Sequence, residues 1–95
     1  MEFADPATRD IYDGLDSGRA RKALPANLHT KAQNKLSLLA FADSVEDLRA
    51  PPSNHLEKLR GDRNGQYSIR INDRYRICFR WTEGEAVEVE IVDYH

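Results

Sequence analysis

Asp93, Tyr94 and His95 set a carboxylate, a phenol and an imidazole side by side at the end of the chain. Each can give or take a proton, and an imidazole does so near neutral pH. Chain ends are ordinarily frayed. Here the alternation Val87, Val89, Ile91 just upstream predicts a strand that ties the end to a folded body. Before it comes a dense set of arginines: Arg60, Arg63, Arg70, Arg74, Arg76 and Arg80. Guanidinium groups recognise phosphate oxygens through paired hydrogen bonds. Proton carriers beside such cations point to acid–base chemistry on a bound polyanion. Cleaving an RNA backbone would need three services: a base for the 2′-hydroxyl, cations for the in-line phosphorane, and an acid for the departing 5′-oxygen. His95 suits either proton role, Tyr94 can donate a hydrogen bond or stack on a base, and Asp93 can orient His95.

The elements that must position these groups follow from periodicity. Phe3 and Ala4 end a short first strand, and Asp5-Pro6 reads as a cap and first residue of a helix carrying Ile11, Tyr12 and Leu15, which Gly14 or Gly18 ends. Gly18 to Leu24 reads as a basic connector. Leu24, Leu28, Ala32, Leu36 and Leu39 recur at helical spacing and predict a second helix, with Lys31, Gln33 and Lys35 off the stripe and His29 on its surface. Ser44 to Asp47 reads as a capped turn that Pro51-Pro52 closes. After Pro52 the period changes to two. Tyr67, Ile69, Ile71, then Tyr75, Ile77, Phe79, Trp81, then Val87, Val89, Ile91 form apolar faces of a three-stranded meander, with turns at Asn72-Asp73 and Thr82 to Glu85. The expected fold class is α+β: two N-terminal helices packed on a curved antiparallel sheet, with a polar arginine-bearing face left open. On that face Arg70 and Arg76 lie nearest the chain's end, whereas Arg80, near the turn and opposite Glu88 and Glu90, reads as neutralised within the sheet, and Arg74 also fits an ion pair.

The 95 residues predict a single domain spanning 1–95. The net charge of −2 hides an asymmetry. Residues 55–81 carry +4, residues 82–95 carry −5 and residues 1–54 carry −1. One cysteine, Cys78, allows no internal disulfide and no cysteine-rich metal site; it reads as a small buried side chain. With no basic-then-apolar leader and no long apolar run, the expectation is a cytoplasmic protein without a membrane partner.

The stretch from Asn54 to Asn72 (NHLEKLRGDRNGQYSIRIN), the segment Tyr75 to Trp81 (YRICFRW) and the final Asp93-Tyr94-His95 closely resemble the HigB toxins of bacterial toxin–antitoxin modules, in the RelE/ParE superfamily, also termed plasmid maintenance system killer proteins. The resemblance covers roughly residues 5–95 in pattern and is most specific from Pro51 onward. It implies a RelE-like microbial-RNase fold and a ribosome-dependent endoribonuclease that cuts messenger RNA in the ribosomal A site. It also implies neutralisation by a HigA-type helix-turn-helix antitoxin, operator DNA being contacted only through that complex. No cofactor or metal is implied. Carried over residue by residue, it assigns catalysis to Arg60, Arg70, Arg76, Asp93, Tyr94 and His95. Lys58, Arg63 and Arg74 complete the set as RNA-binding cations. Several family members carry a histidine three residues before the basic residue of the Leu-Lys-Gly-Asp turn. Here that place holds Glu57, and His55 lies two positions earlier with the same strand parity, so either can supply the base. Arg60 stands where the family has lysine; a guanidinium stabilises a phosphorane but is a poor proton donor. Two other readings remain open: a ParE-like toxin acting on DNA gyrase, and a non-catalytic module that binds RNA or protein.

Overall fold

The computed structural model describes Met1–Tyr94. Helix α1 (Pro6–Tyr12) starts where Asp5 caps it, its carboxylate accepting the Thr8 amide at 2.7 Å. It ends in a Schellman turn: Gly14 at φ 77° donates its amide to Ile11, and the Leu15 amide reaches the Asp10 carbonyl at 2.8 Å. The expected basic connector is itself helical. Ser17 accepts the Ala20 amide at 3.1 Å and so caps α2 (Gly18–Ala23), whose Ala20 is buried between its neighbours. Leu24 leaves the helix extended, and a 3-10 turn (Ala26–Leu28) leads into α3 (His29–Phe41). The predicted apolar stripe therefore spans two elements. Leu24, Ala32, Leu36 and Leu39 are all buried along it, each large side chain contributing about 1.5–3 kcal/mol. His29 is half-buried rather than free on the surface, with Nε2 2.8 Å from the Leu24 carbonyl oxygen.

The second half is a sheet in the order β1 (Glu57–Lys58), β2 (Tyr67–Arg70), β3 (Tyr75–Thr82), β4 (Glu85–Asp93), with every neighbour antiparallel. The expected three-stranded meander thus gains a short edge strand in the basic segment. Asn72 builds the β2–β3 turn, its Oδ1 accepting the amides of Arg74 and Tyr75 at 2.9 and 2.7 Å. Glu83 and Gly84, at φ 49° and 79°, make the two-residue β3–β4 hairpin. At the other edge the parallel bridge between Phe3 and Val89 lays the N-terminal segment alongside β4.

One face of the sheet (Ile69, Ile77, Phe79, Ala86, Val89) packs under the helices. Here the structure corrects the simple alternation. Cys78 pairs with Glu90 but Arg80 pairs with Val87, so β4 carries one extra residue opposite Phe79, and Glu88 takes φ 50° to absorb it. Such a bulge reverses the parity of what precedes it. Ala86 and Val89 are fully buried, whereas Val87, expected in the core, shares the outer face with Arg80. Helix α1 is tied to this strand by Thr8, whose Oγ1 accepts the Ile91 amide at 3.2 Å.

Candidate active site

The outer face of the sheet is assembled by register. Glu57 opposes Ser68, Ser68 opposes Cys78, Cys78 opposes Glu90, and Arg70 opposes Arg76. Paired residues point to the same side, so one surface carries Glu57, Ser68, Arg70, Arg76, Cys78 and Glu90.

Arg76 is its centre. The side chain is only 12% exposed. Nε donates to Ser68 Oγ at 2.8 Å and Nη2 to the His55 carbonyl oxygen at 2.6 Å, while Nη1 lies 3.7 Å from Glu57 Oε1. Two neutral acceptors fix the guanidinium without cancelling its charge, and Glu57, the one carboxylate paired with it among the described residues, is long for a hydrogen bond. Ser68, fully buried, is a residue that sequence reading passed over; its signal was its shared parity with Arg70.

His55 reaches the same place by an unusual backbone. It follows the 3-10 turn Pro52–Asn54 with φ 45° and ψ 55°, a left-handed conformation that costs a non-glycine residue about 1–3 kcal/mol. That bend aims its carbonyl at Arg76 and leaves its ring beside Arg70, Nε2 lying 3.5 Å from Arg70 Nη1. The preceding residue, Asn54, holds the bend from inside. It is fully buried, its Nδ2 donates to the carbonyls of Leu48 and Ala50 at 3.0 and 3.2 Å, and its Oδ1 accepts from Lys35 Nζ. Asn54 opens the stretch from Asn54 to Asn72, where its side-chain type alone does not mark it as a support for the site.

Tyr94 lies on this side of the sheet. Burial, reinforced by the neighbouring Cys78 thiol, raises its phenol above the usual tyrosine range, against the lowering influence of Arg63 and Arg76. The phenol therefore stays protonated at neutral pH and can donate. Cys78 is buried as expected, and burial likewise raises its thiol, so it is no ready nucleophile. Arg63 frames the far side, bridging Gln66 Oε1 at 2.9 Å and Glu90 Oε1 at 2.7 Å.

Asp93 and Arg74 pair with each other rather than with this cluster. Asp93 opposes Tyr75 and so has the opposite parity; both its oxygens accept from Arg74, at 2.8 and 2.7 Å, and the Arg74 guanidinium lies over the Tyr75 ring. Arg80 is paired with Glu88 at 2.9 Å, the neutralisation expected for it. Arg70 also forms an ion pair with the exposed Asp73. Arg60 and Lys58 are exposed beside the Gly61–Arg63 turn and on β1. His95, part of the expected catalytic set, lies outside the described residues. Among the described residues no group of three His, Cys, Asp or Glu converges as metal ligands, and no helix is long and apolar enough to cross a membrane.

A larger hollow of about 810 Å³ lies elsewhere, between the N-terminal segment, α1 and Arg19. Two of its ion pairs, Arg9–Asp13 and Arg19–Asp10, are internal to it, and none of the residues of the sheet-face cluster lines it.

Comparison with known proteins adds an independent line. Residues 1–95 match the family described as RelE-like toxin of type II toxin-antitoxin system HigB. The chain is 33% identical over 87 residues to Toxin HigB-1 of Vibrio cholerae serotype O1, spanning 92% of this chain and 88% of that protein. It is 29% identical over 82 residues to Endoribonuclease HigB of Proteus vulgaris, spanning 86% and 83%. Among solved structures, the YoeB-YefM complex from Staphylococcus aureus contains a chain that superimposes with a TM-score of 0.62 at 18% identity, covering 99% of this chain and 93% of that one. At that identity the likeness establishes the fold.

Proposed function

The chain belongs to the HigB family of RelE-like toxins of type II toxin–antitoxin systems, and from that premise we propose that it is an endoribonuclease that cuts messenger RNA in the ribosomal A site and so halts translation in the bacterial cytoplasm. The observation that carries this reading is Arg76, anchored by neutral acceptors beside its register partner Arg70. The relative from Proteus vulgaris, named an endoribonuclease, supports the same activity.

In this mechanism the 2′-hydroxyl loses its proton to Glu57 or His55, and the freed oxygen attacks phosphorus in line with the 5′-oxygen. Arg76 and Arg70 stabilise the charge that builds on the phosphorane, a contribution of about 2.7–4 kcal/mol for one well-placed donor. The phosphorus–5′-oxygen bond breaks as Tyr94 or His95 delivers a proton, leaving a 2′,3′-cyclic phosphate and a 5′-hydroxyl. Arg60, Lys58 and Arg63 hold neighbouring backbone, and the Asp93–Arg74 pair fixes the strand end from which Tyr94 projects. The neutralising partner is a cognate antitoxin, of the HigA helix-turn-helix type, whose complex with the toxin contacts operator DNA.

Mapping transcript ends after brief induction tests the reading. Wild type produces new 5′-hydroxyl ends within coding regions, and Tyr94→Phe and His95→Ala suppress them while the proteins stay folded. Undiminished cleavage in the double variant contradicts the mechanism. Intact transcripts with stalled replication would instead favour a gyrase-directed toxin, and salt-sensitive RNA binding without cut ends a binding module.

A further inference from the structure

A second hollow, about 480 Å³, opens directly beside the candidate site. Lys31 and Lys35 of α3 form one wall, and His55, Arg70 and Arg74 another. Asp73 is the carboxylate on its lining, and it is already engaged by Arg70; Arg74 is held by Asp93 from outside it.

Lys35 anchors Asn54, but the doubling of charge by Lys31 beside it has no such structural role. The two lysines sit at i and i+4 on one face of α3, where like charges repel. Lys31 falls in the first turn, where the helix dipole disfavours a cation, and no acidic residue or side-chain cap offsets it there. Lys31 is exposed, and no carboxylate among the described residues forms an ion pair with either lysine. Lys35 is half-buried and donates to the amide oxygen of Asn54, a neutral partner. Burial and the Lys31 charge both push its ammonium below the usual lysine range. A fold that gathers these cations around a hollow, and lines both hollow and cutting site with His55 and Arg70, is suited to an anion that continues from one to the other.

We infer that the hollow bounded by Lys31, Lys35, His55, Arg70 and Arg74 is a phosphate subsite that holds the nucleotide phosphate adjoining the scissile one. The inference rests on the RNA-cleaving reading of the neighbouring face. Arg70 sits at the junction and reaches either phosphate. Lys31 and Lys35 are binding residues for the flanking nucleotide and take no part in bond breaking. Occupation relieves the Lys31–Lys35 repulsion, so a substrate charged at both positions is gripped more tightly than one charged only at the cut.

The test uses the full-length protein and a short messenger RNA programmed into translating ribosomes, cut under single-turnover conditions. Two further messages each carry one uncharged methylphosphonate, either 5′ or 3′ of the cleaved linkage. For wild type, one of the two substitutions raises the enzyme concentration needed for half-maximal rate about five- to ten-fold. Lys31→Gln, an exposed change that leaves the fold intact, raises it by a similar factor on the native message and is indifferent to that methylphosphonate. If Lys31→Gln is as sensitive to the neutralised phosphate as wild type, the subsite is wrong although cleavage itself stands. If Lys31→Gln leaves RNA cutting untouched but weakens capture by the antitoxin, the hollow is a protein-docking surface and the inference falls. A wild type that cuts none of the messages removes the underlying reading and this inference with it.

Discussion

Two charged clusters of this molecule are built on different plans. At the junction of α1 and α2, Asp10 is 5% exposed and accepts three donors: Ser17 Oγ at 2.6 Å, Arg19 Nε at 2.6 Å and Arg19 Nη2 at 3.1 Å. Charge is met by opposite charge in a bidentate pair. On the outer face of the sheet, Arg76 is also largely buried, yet its two short bonds go to a hydroxyl and a backbone carbonyl, and Glu57 stands off at 3.7 Å. The first cluster is electrically complete and staples two short helices. The second is held in place but still carries its charge, as expected of a group kept for a ligand. On the proposed reading, what separates the structural ion from the functional one is the nature of the acceptors and not burial alone.

The comparison breaks most visibly through Arg76. Arg76→Ala is expected to lower RNA cleavage about 10²–10³-fold, measured as a single-turnover rate. If the same change lowered thermal stability as severely as loss of Asp10, the two clusters would be alike after all. Ser68→Ala sharpens the point, because it removes an acceptor rather than a charge. A hydrogen bond to a charged group is worth about 1.5–3 kcal/mol, or about ten- to a hundred-fold. The expected loss falls within that range and mainly in the saturating rate, since Ser68 positions the guanidinium and does not touch RNA.

Asp10 makes the opposite prediction. The Arg19 guanidinium and then the Ser17 hydroxyl, by hydrogen bonding, hold its carboxyl at about 2, below the ordinary value of 3.8. A folded-state value below the unfolded one contributes stability that is fully present above about pH 4 and is lost as the pH falls through about 2. Asp10→Asn should therefore lower the melting temperature at neutral pH and flatten its decline between pH 4 and 2, with cleavage per folded molecule unchanged. Melting curves across that range check the first part, and a parallel loss of cleavage would contradict the second. The smallest effect is expected from Arg80→Ala. The Arg80–Glu88 pair lies at the surface near the hairpin, where such pairs contribute about 0–1 kcal/mol, so cleavage and melting should both change little.

Much of this plan was legible beforehand because it follows from short-range rules. Alternation along Tyr75 to Trp81 put Ile77 and Phe79 in the core and Arg76 and Arg80 opposite, as found. Proximity of Arg80 to the turn and to Glu88 foretold their pairing. The misreadings share one cause, which is local geometry that breaks a period. A left-handed Glu88 inserts one residue and moves Val87 out of the core and Ala86 into it. A serine cap turns the basic connector into α2. The left-handed His55 brings a backbone carbonyl, invisible to side-chain reasoning, onto Arg76. At the strand end alternation holds: Asp93 and Tyr94 are neighbours in sequence and face opposite ways, one toward Arg74 and the other toward Cys78, Arg63 and Arg76.

The most direct trial of the central claim sets two arginines of the same strand against each other. Arg76→Ala and Arg80→Ala are compared for single-turnover cleavage of messenger RNA on programmed ribosomes, with folding checked by melting curves. The account predicts a loss of about 10²–10³-fold for Arg76→Ala and less than about two-fold for Arg80→Ala. Equal losses, or a folded Arg76→Ala that cuts at the wild-type rate, would contradict it.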